Sequence, residues 1–202
     1  MKILELPLVA GFEDLASFAK TEIKEIPWAK EFPYRPGVKL AAAHTGTAVL
    51  LHFDVEEDNV KAVCVSSNGP VWEDSCVEFF VKTPGSPFYY NFETNCIGTG
   101  LAAKRLDRNS CRHFSPAMME KVIRKSTLPH TQINTGKGKW SLDLTVPFSV
   151  LDCGEKPEML LANFYKCGDR TAQPHFISWS PIDNPKPNFH LPEFFGQLKL
   201  LW

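Results

Sequence analysis

The chain has 202 residues, 44% of them apolar, 22% charged and 12% aromatic, and a formal net charge of -1. This is the composition of an ordinary globular protein, and a single domain over residues 1–202 is expected. The absence of a basic stripe argues against nucleic acid as a partner. No run approaches the roughly 20 apolar residues of a membrane helix, so no membrane span is expected.

The opening "MKILELPLVAGFEDLASFAK" is interrupted by Glu5, Glu13 and Asp14. It lacks the apolar core and small-residue cleavage site of a secretory signal. A cytoplasmic location is therefore expected, or a periplasmic or extracellular one if the chain is a processed form. Asp14 is placed to N-cap a short helix through Ala19. "KLAAAHTG" then leads into "TAVLLHFDVEED" as a hairpin turning at Thr45-Gly46. "NVKAVCVSS" alternates with period two, and "VWEDSCVEFFV" and "PFYYNFETNCIGTG" follow as strand-like runs. In "SPAMMEKVIRK", Ser115 and Pro116 suit an N-cap and a first helical position, while alternation from Lys121 onward favours a strand. "TQINTGKGKWSLDLTVPF" turns at Gly136 and Gly138, and "VPFSVLDCG" makes one turn. "EMLLANFYKCGD", "HFISWSP" and "FGQLKLLW" complete the set. Many short strands punctuated by 16 prolines predict an all-β sandwich or barrel with one or two short helices.

Six cysteines stand at positions 64, 76, 96, 111, 153 and 167 without a CxxC pair, so their spacing does not indicate zinc. Buried free thiols are expected, with a disulfide as the alternative. Glu73, Asp74 and Glu78 cluster, and Glu93 falls on a neighbouring strand. Two such carboxylates roughly 5–10 Å apart could hydrolyse a glycosidic bond; the ordinary reading is that they are solvated or hold loop amides. There is no GxSxG elbow, and the six histidines show no HExxH spacing.

The aromatics say more. Trp72 and Trp179 both sit at strand–loop junctions. They could be lids on the core, or plates for a flat ligand such as a sugar, whose C–H face suits an aromatic ring and whose hydroxyls suit acids and amides. If the strand begins at Trp72, then Glu78, six positions on, shares its face. In "YYNFETNC", Tyr90, Phe92, Thr94 and Cys96 read as the core face. Tyr89, Asn91, Glu93 and Asn95 read as the wet face or as the floor of a polar pocket.

In order, "VWEDSCVEFFV", "YYNFETNCIG", "ANFYKCGD" and "HFISWSPI…FHLPEFFG" resemble the family 9 carbohydrate-binding modules, within the DOMON-like β-sandwich superfamily. The resemblance covers nearly the whole chain. It implies a non-catalytic β-sandwich that clamps the terminal or reducing-end sugar of a glucan such as cellulose, or of a xylan or an oligosaccharide, between two Trp rings. The matching positions are Trp72 and Trp179, with Glu78 as the carboxylate that hydrogen-bonds the sugar. The family's Asn shortly before the second Trp is replaced here by "PHFISW", where His175 is the available polar group. Asn95 and Glu93 are secondary polar contacts, and Asn163 and Arg105 lie close to the motifs. No cofactor is implied except calcium as a structural ion, for which no DxDxDG loop is present. Three alternatives stay open: a xylanase-like glycoside hydrolase using Glu78 with Glu93 or Asp74, a partner-binding sandwich with no sugar ligand, and a haem- or redox-binding domain.

Overall fold

The computed structural model describes residues 1–15 and 17–202. The first strand, β1 (Ile3–Leu6), is followed by a single helical turn, α1 (Phe12–Leu15). Asp14 lies inside that turn and is not its cap; its Oδ2 accepts from the Ala10 amide at 2.9 Å. Ala16, within the helix expected to reach Ala19, lies outside the described residues. After β2 (Thr21–Glu22) come β3 (Gly37–His44) and β4 (Ala48–Glu57), joined by the expected turn. There Gly46 takes φ +85°, a conformation open to glycine at no steric cost. Then follow β5 (Val60–Ala62), a 3-10 turn over Val71–Glu73, β6 (Cys76–Lys82), β7 (Tyr89–Asn95), β8 (Gly100–Arg105) and β9 (Cys111–His113).

Ser115 caps α2 (Pro116–Met119) by accepting from the Met118 amide, with Pro116 in the first turn. The chain continues through β10 (Ile123–Ser126), β11 (Ile133–Thr135) and β12 (Gly138–Pro147) to a 3-10 turn over Phe148–Val150. It ends with β13 (Met159–Cys167), β14 (Phe176–Ser178), a 3-10 turn over Pro192–Phe194 and β15 (Gly196–Leu200).

The larger sheet has eight strands, in the order β1-β15-β13-β6-β7-β8-β9 with β14 beside β13. The second has five, ordered β10-β12-β4-β3-β2, and β5 pairs with β11 as a small ribbon. The two large sheets pack as a sandwich. Val77, Phe79, Phe92 and Phe164 from one meet Leu40, Leu51, Phe53, Trp140 and Leu142 from the other in one core.

The sheets differ on their outer faces. From Trp140 onward burial along β12 alternates, as expected of a strand with one wet side. In β7 every residue is buried, and in β6 all but the last. The outer face of the larger sheet is therefore covered as well. Phe80, Tyr89, Leu101 and Tyr165 pack there under Trp28, Ile182, Phe189 and Phe195, which come from the loops. The Trp28 indole pins this cover by donating to the Asn184 carbonyl at 2.7 Å. The six cysteines are all free thiols.

Candidate functional site

The loop cover leaves an opening over the larger sheet. It is a cleft of about 310 Å³ lined by Trp72, Glu78, Glu93, Arg105, Asp169, Phe176, His190 and neighbouring residues. Strand pairing builds its floor. Glu78 lies opposite Glu93 across β6 and β7, and opposite Tyr165 across β6 and β13. Phe176 pairs with Cys167, which in turn pairs with Cys76. These side chains share the outer face by the period of two, while Val77, Phe79 and Ile177 point into the sandwich.

Trp72 stands at the rim, 37% exposed. It reaches the cleft from the 3-10 turn and not from the strand, so the shared strand face expected for Trp72 and Glu78 is not what brings them together. The turn is tied across to the end of β13: the Asp169 amide donates to the Trp72 carbonyl (3.1 Å) and the Arg170 amide to the Glu73 carbonyl (3.1 Å). The facing wall is aromatic. Phe176 sits edge-on to Phe32 at 4.8 Å, Phe189 stacks flat on Tyr165 at 4.1 Å, and His190 lies 4.9 Å from Phe80.

A relay of side chains fixes the charged floor. Asn91 donates to Glu93 Oε1 at 2.7 Å and accepts from Arg105 Nε at 2.8 Å. Arg105 also donates to the Arg108 carbonyl at 2.8 Å. Burial pushes Glu93 up to about 7, against the lowering pull of Asn91 and Arg105. Burial, with Glu93 beside it, holds Glu78 well above the usual carboxylate range. Asp169 rises to about 6, again chiefly through burial and then through Glu73. Burial pushes His190 down to about 3, helped by the charges of Arg105 and Arg108. Carboxylates, a guanidinium and a neutral imidazole converge beside exposed aromatic surface, a set that can orient a polyhydroxylated ring.

Four of the residues singled out in sequence meet here: Trp72, Glu78, Glu93 and Arg105. The other four do not line the cleft. Trp179 is only 2% exposed; it packs edge-on to Phe164 at 5.6 Å and closes on Gly196. The reason is parity: Phe176 faces the cleft, and Trp179, an odd three positions on, faces the core. Asn95 is fully buried as a turn anchor, donating to Asp74 Oδ2 and the Cys64 carbonyl and accepting from the Thr99 amide. His175 is also fully buried and accepts from Lys166 at 2.8 Å through Nε2, so its Nδ1 donates to the Gln173 carbonyl. Asn163 is buried as well, holding the Ser180 amide and carbonyl. Sequence reading missed Asp169 and His190, which reach the cleft from separate loops, and Phe176, which β14 carries there; none of the three has a spacing signal.

Among the described residues, one group of three side chains has metal-ligating proximity: Cys76, Glu78 and Cys167. Two sulfurs do not suit calcium, a cation of oxygen ligands, so this group is not the implied calcium site.

The family model for carbohydrate-binding family 9 matches residues 9–200. The chain belongs to that family. A family 9 chain of this kind is a carbohydrate-binding domain and not an enzyme. Among solved structures, a protein of Bacteroides uniformis described as carbohydrate-binding is 36% identical, with a TM-score of 0.92 over 99% of both chains. A family 9 module of Caldicellulosiruptor kristjanssonii in complex with glucose has a TM-score of 0.62 at 11% identity, over 99% of this chain and 96% of that one. The cellotriose complex of a family 9 module from the same organism gives 0.65 at 12%, over 98% and 93%. At that identity these two show the shared sandwich fold. None of the curated proteins matches this chain in sequence.

Proposed function

We propose that the cleft holds the terminal sugar unit, at the reducing end, of a glucan or xylan or of an oligosaccharide derived from one. The ring lies on Trp72, with Phe176 and Phe189 as the opposing apolar wall in place of a second tryptophan. Glu78 and Glu93 receive hydroxyl hydrogens, and Arg105 donates to a hydroxyl or ring oxygen. The observation that carries this reading is one exposed indole at the rim of a cleft floored by buried carboxylates and a positioned guanidinium. Its volume of about 310 Å³ is at the low end for small-molecule sites and suits a chain end better than a long run of sugar units. The fold shared with family 9 modules in complex with glucose and cellotriose supports the ligand class.

Titration calorimetry with cellobiose and xylobiose, each beside its borohydride-reduced form, tests it. Micromolar binding of the intact sugars, about -8 kcal/mol, is expected, with no heat from the reduced ones. Trp72→Ala should abolish the heat and leave the circular dichroism spectrum unchanged. No heat from any of the four sugars with the native chain would overturn the proposal.

A further inference from the structure

Cys76 and Cys167 are far apart in sequence and directly opposite on adjacent strands, β6 and β13. Glu78 follows Cys76 by two positions and so shares its face. The two Sγ atoms and a Glu78 oxygen all lie within 4.8 Å of one another, and all three residues are buried. Cys167 Sγ is 3.0 Å from Glu78 Oε1 and 3.5 Å from the Trp72 carbonyl. Glu78 and Cys167 line the cleft, so one side of the group opens toward its interior.

We propose that Cys76, Glu78 and Cys167 form a binding site for a divalent cation of the zinc class at the floor of the cleft. Two sulfurs and one carboxylate match the ligand preference of zinc and exclude calcium and magnesium. Three protein ligands with the fourth position toward a cleft is the arrangement of an open tetrahedral site, in which water or a sugar hydroxyl completes the shell. Cys76 begins β6 and Cys167 ends β13, two paired strands flanked by others in the larger sheet, so the ligand positions are set before any ion arrives.

The charges can be accounted for. Burial pushes the Cys76 thiol up to about 12 and raises Cys167 as well, so both are protonated without metal. Binding replaces the two S–H bonds by metal–sulfur bonds and the Glu78 carboxyl O–H bond by a metal–oxygen bond, and the displaced protons pass to solvent. Two thiolates, one carboxylate and a divalent ion leave one net negative charge. The positive charges of Arg105, acting on Glu78, and of Lys166, acting on Cys76, oppose it, while Glu93 and Asp169 add to the negative field that draws a cation to the floor.

Cobalt(II) titration of the reduced chain, without sugar, reads the thiolates directly and is independent of the carbohydrate proposal. Intense sulfur-to-cobalt charge transfer in the near ultraviolet, with tetrahedral visible bands, should saturate at one equivalent and vanish on adding zinc. Cys167→Ser and Cys76→Ala should weaken cobalt by more than the roughly 10–100-fold that changes outside the ligand shell cause. Cys64→Ser and Cys153→Ser should leave it unchanged. Glu78→Gln, which keeps side-chain volume, should weaken zinc and cobalt while retaining the fold. Absence of charge transfer in a fully reduced chain would overturn the site, as would charge transfer that survives Cys167→Ser.

Discussion

Lys166 and Glu57 meet at 2.9 Å, with neither side chain reached by solvent. Lys166 belongs to the larger sheet and Glu57 ends the central strand of the smaller one, so the pair ties the two layers together. The Lys166 ammonium also donates to the Cys167 carbonyl and to His175 Nε2, both at 2.8 Å. The Trp140 indole donates to Glu57 Oε1 at 2.7 Å. The contact to Glu57 Oε2 is close and ionic but lacks hydrogen-bond geometry.

Breaking this pair on one side leaves a buried charge without its counterpart. Lys166→Met is expected to cost roughly 3–5 kcal/mol, and Lys166→Met with Glu57→Gln less than the sum of the two single changes. Urea unfolding midpoints measure both. A Lys166→Met midpoint equal to that of the native chain would show that the pair contributes nothing.

The same cluster makes folding sensitive to acid. Burial, and then the Lys166 charge, push His175 down to about 2, and Lys166, Glu57 and the Tyr34 ring all pack near it. The folded histidine stays neutral while the unfolded one protonates near 6.5, so the unfolded chain binds the extra proton. The stability from the neutral ring is complete above about pH 6.5 and is lost as pH falls, by roughly 2 kcal/mol at pH 5. Between pH 7.5 and pH 5 the native chain should lose roughly 2 kcal/mol relative to His175→Gln, a comparison in which the opposite pH dependence of the buried carboxyls Glu78, Glu93 and Asp169 cancels. Equal losses in the two chains would assign the acid sensitivity elsewhere.

The two tryptophans should separate cleanly. Trp179→Ala removes a buried ring and is expected to cost about 3–5 kcal/mol, whereas Trp179→Phe should keep sugar affinity within about twofold, since no face of the ring lines the cleft. Gly196→Ala would set a methyl carbon 2.4 Å from the Trp179 ring and destabilise by about 1–3 kcal/mol through overpacking. Trp72→Ala should leave the thermal midpoint nearly unchanged. If Trp179→Phe loses binding while its midpoint holds, Trp179 belongs to the site after all.

Asp74 and Asn95 hold the loop that carries Trp72. The Asp74 carboxylate accepts from the Val63 and Cys64 amides, both at 3.0 Å, and from Asn95 at 2.9 Å. Asp74→Ala leaves those donors unpaired in a buried place and should cost several kcal/mol, about 1–3 for each. Chemical denaturation reads the loss; a change under about 0.5 kcal/mol would mean the loop finds other partners.

Where the chain is locally periodic, the sequence was readable. The alternation in "YYNFETNC" separates the core residues Tyr90, Phe92 and Cys96 from the cleft-floor face of Asn91 and Glu93. The capped turn at Ser115-Pro116 and the hairpin at Gly46 carry their own chemistry. Trp72 reached its place for another reason: Gly69-Pro70 set up a 3-10 turn, and the strand starts only at Cys76. Trp179 was misplaced because a residue's face depends on where its strand enters the ladder, and pairing with β13 fixes that register. Asp169 and His190 are brought to Glu78 by loop packing, to which local periodicity is blind. The cross-strand meeting of Cys76 with Cys167 is equally invisible in the spacing, because it is created by the pairing of β6 with β13.

One strand at the boundary of the larger sheet has a consequence for handling the protein. β1 runs parallel to β15 and covers its outer side, from Ile3 opposite Gln197 to Leu6 opposite Leu200. Cutting away the first six residues would bare the amides and carbonyls of an apolar strand along its length. Such an edge is a template for the same edge on another copy. The shortened chain should therefore self-associate with rising concentration, a behaviour that light scattering would detect.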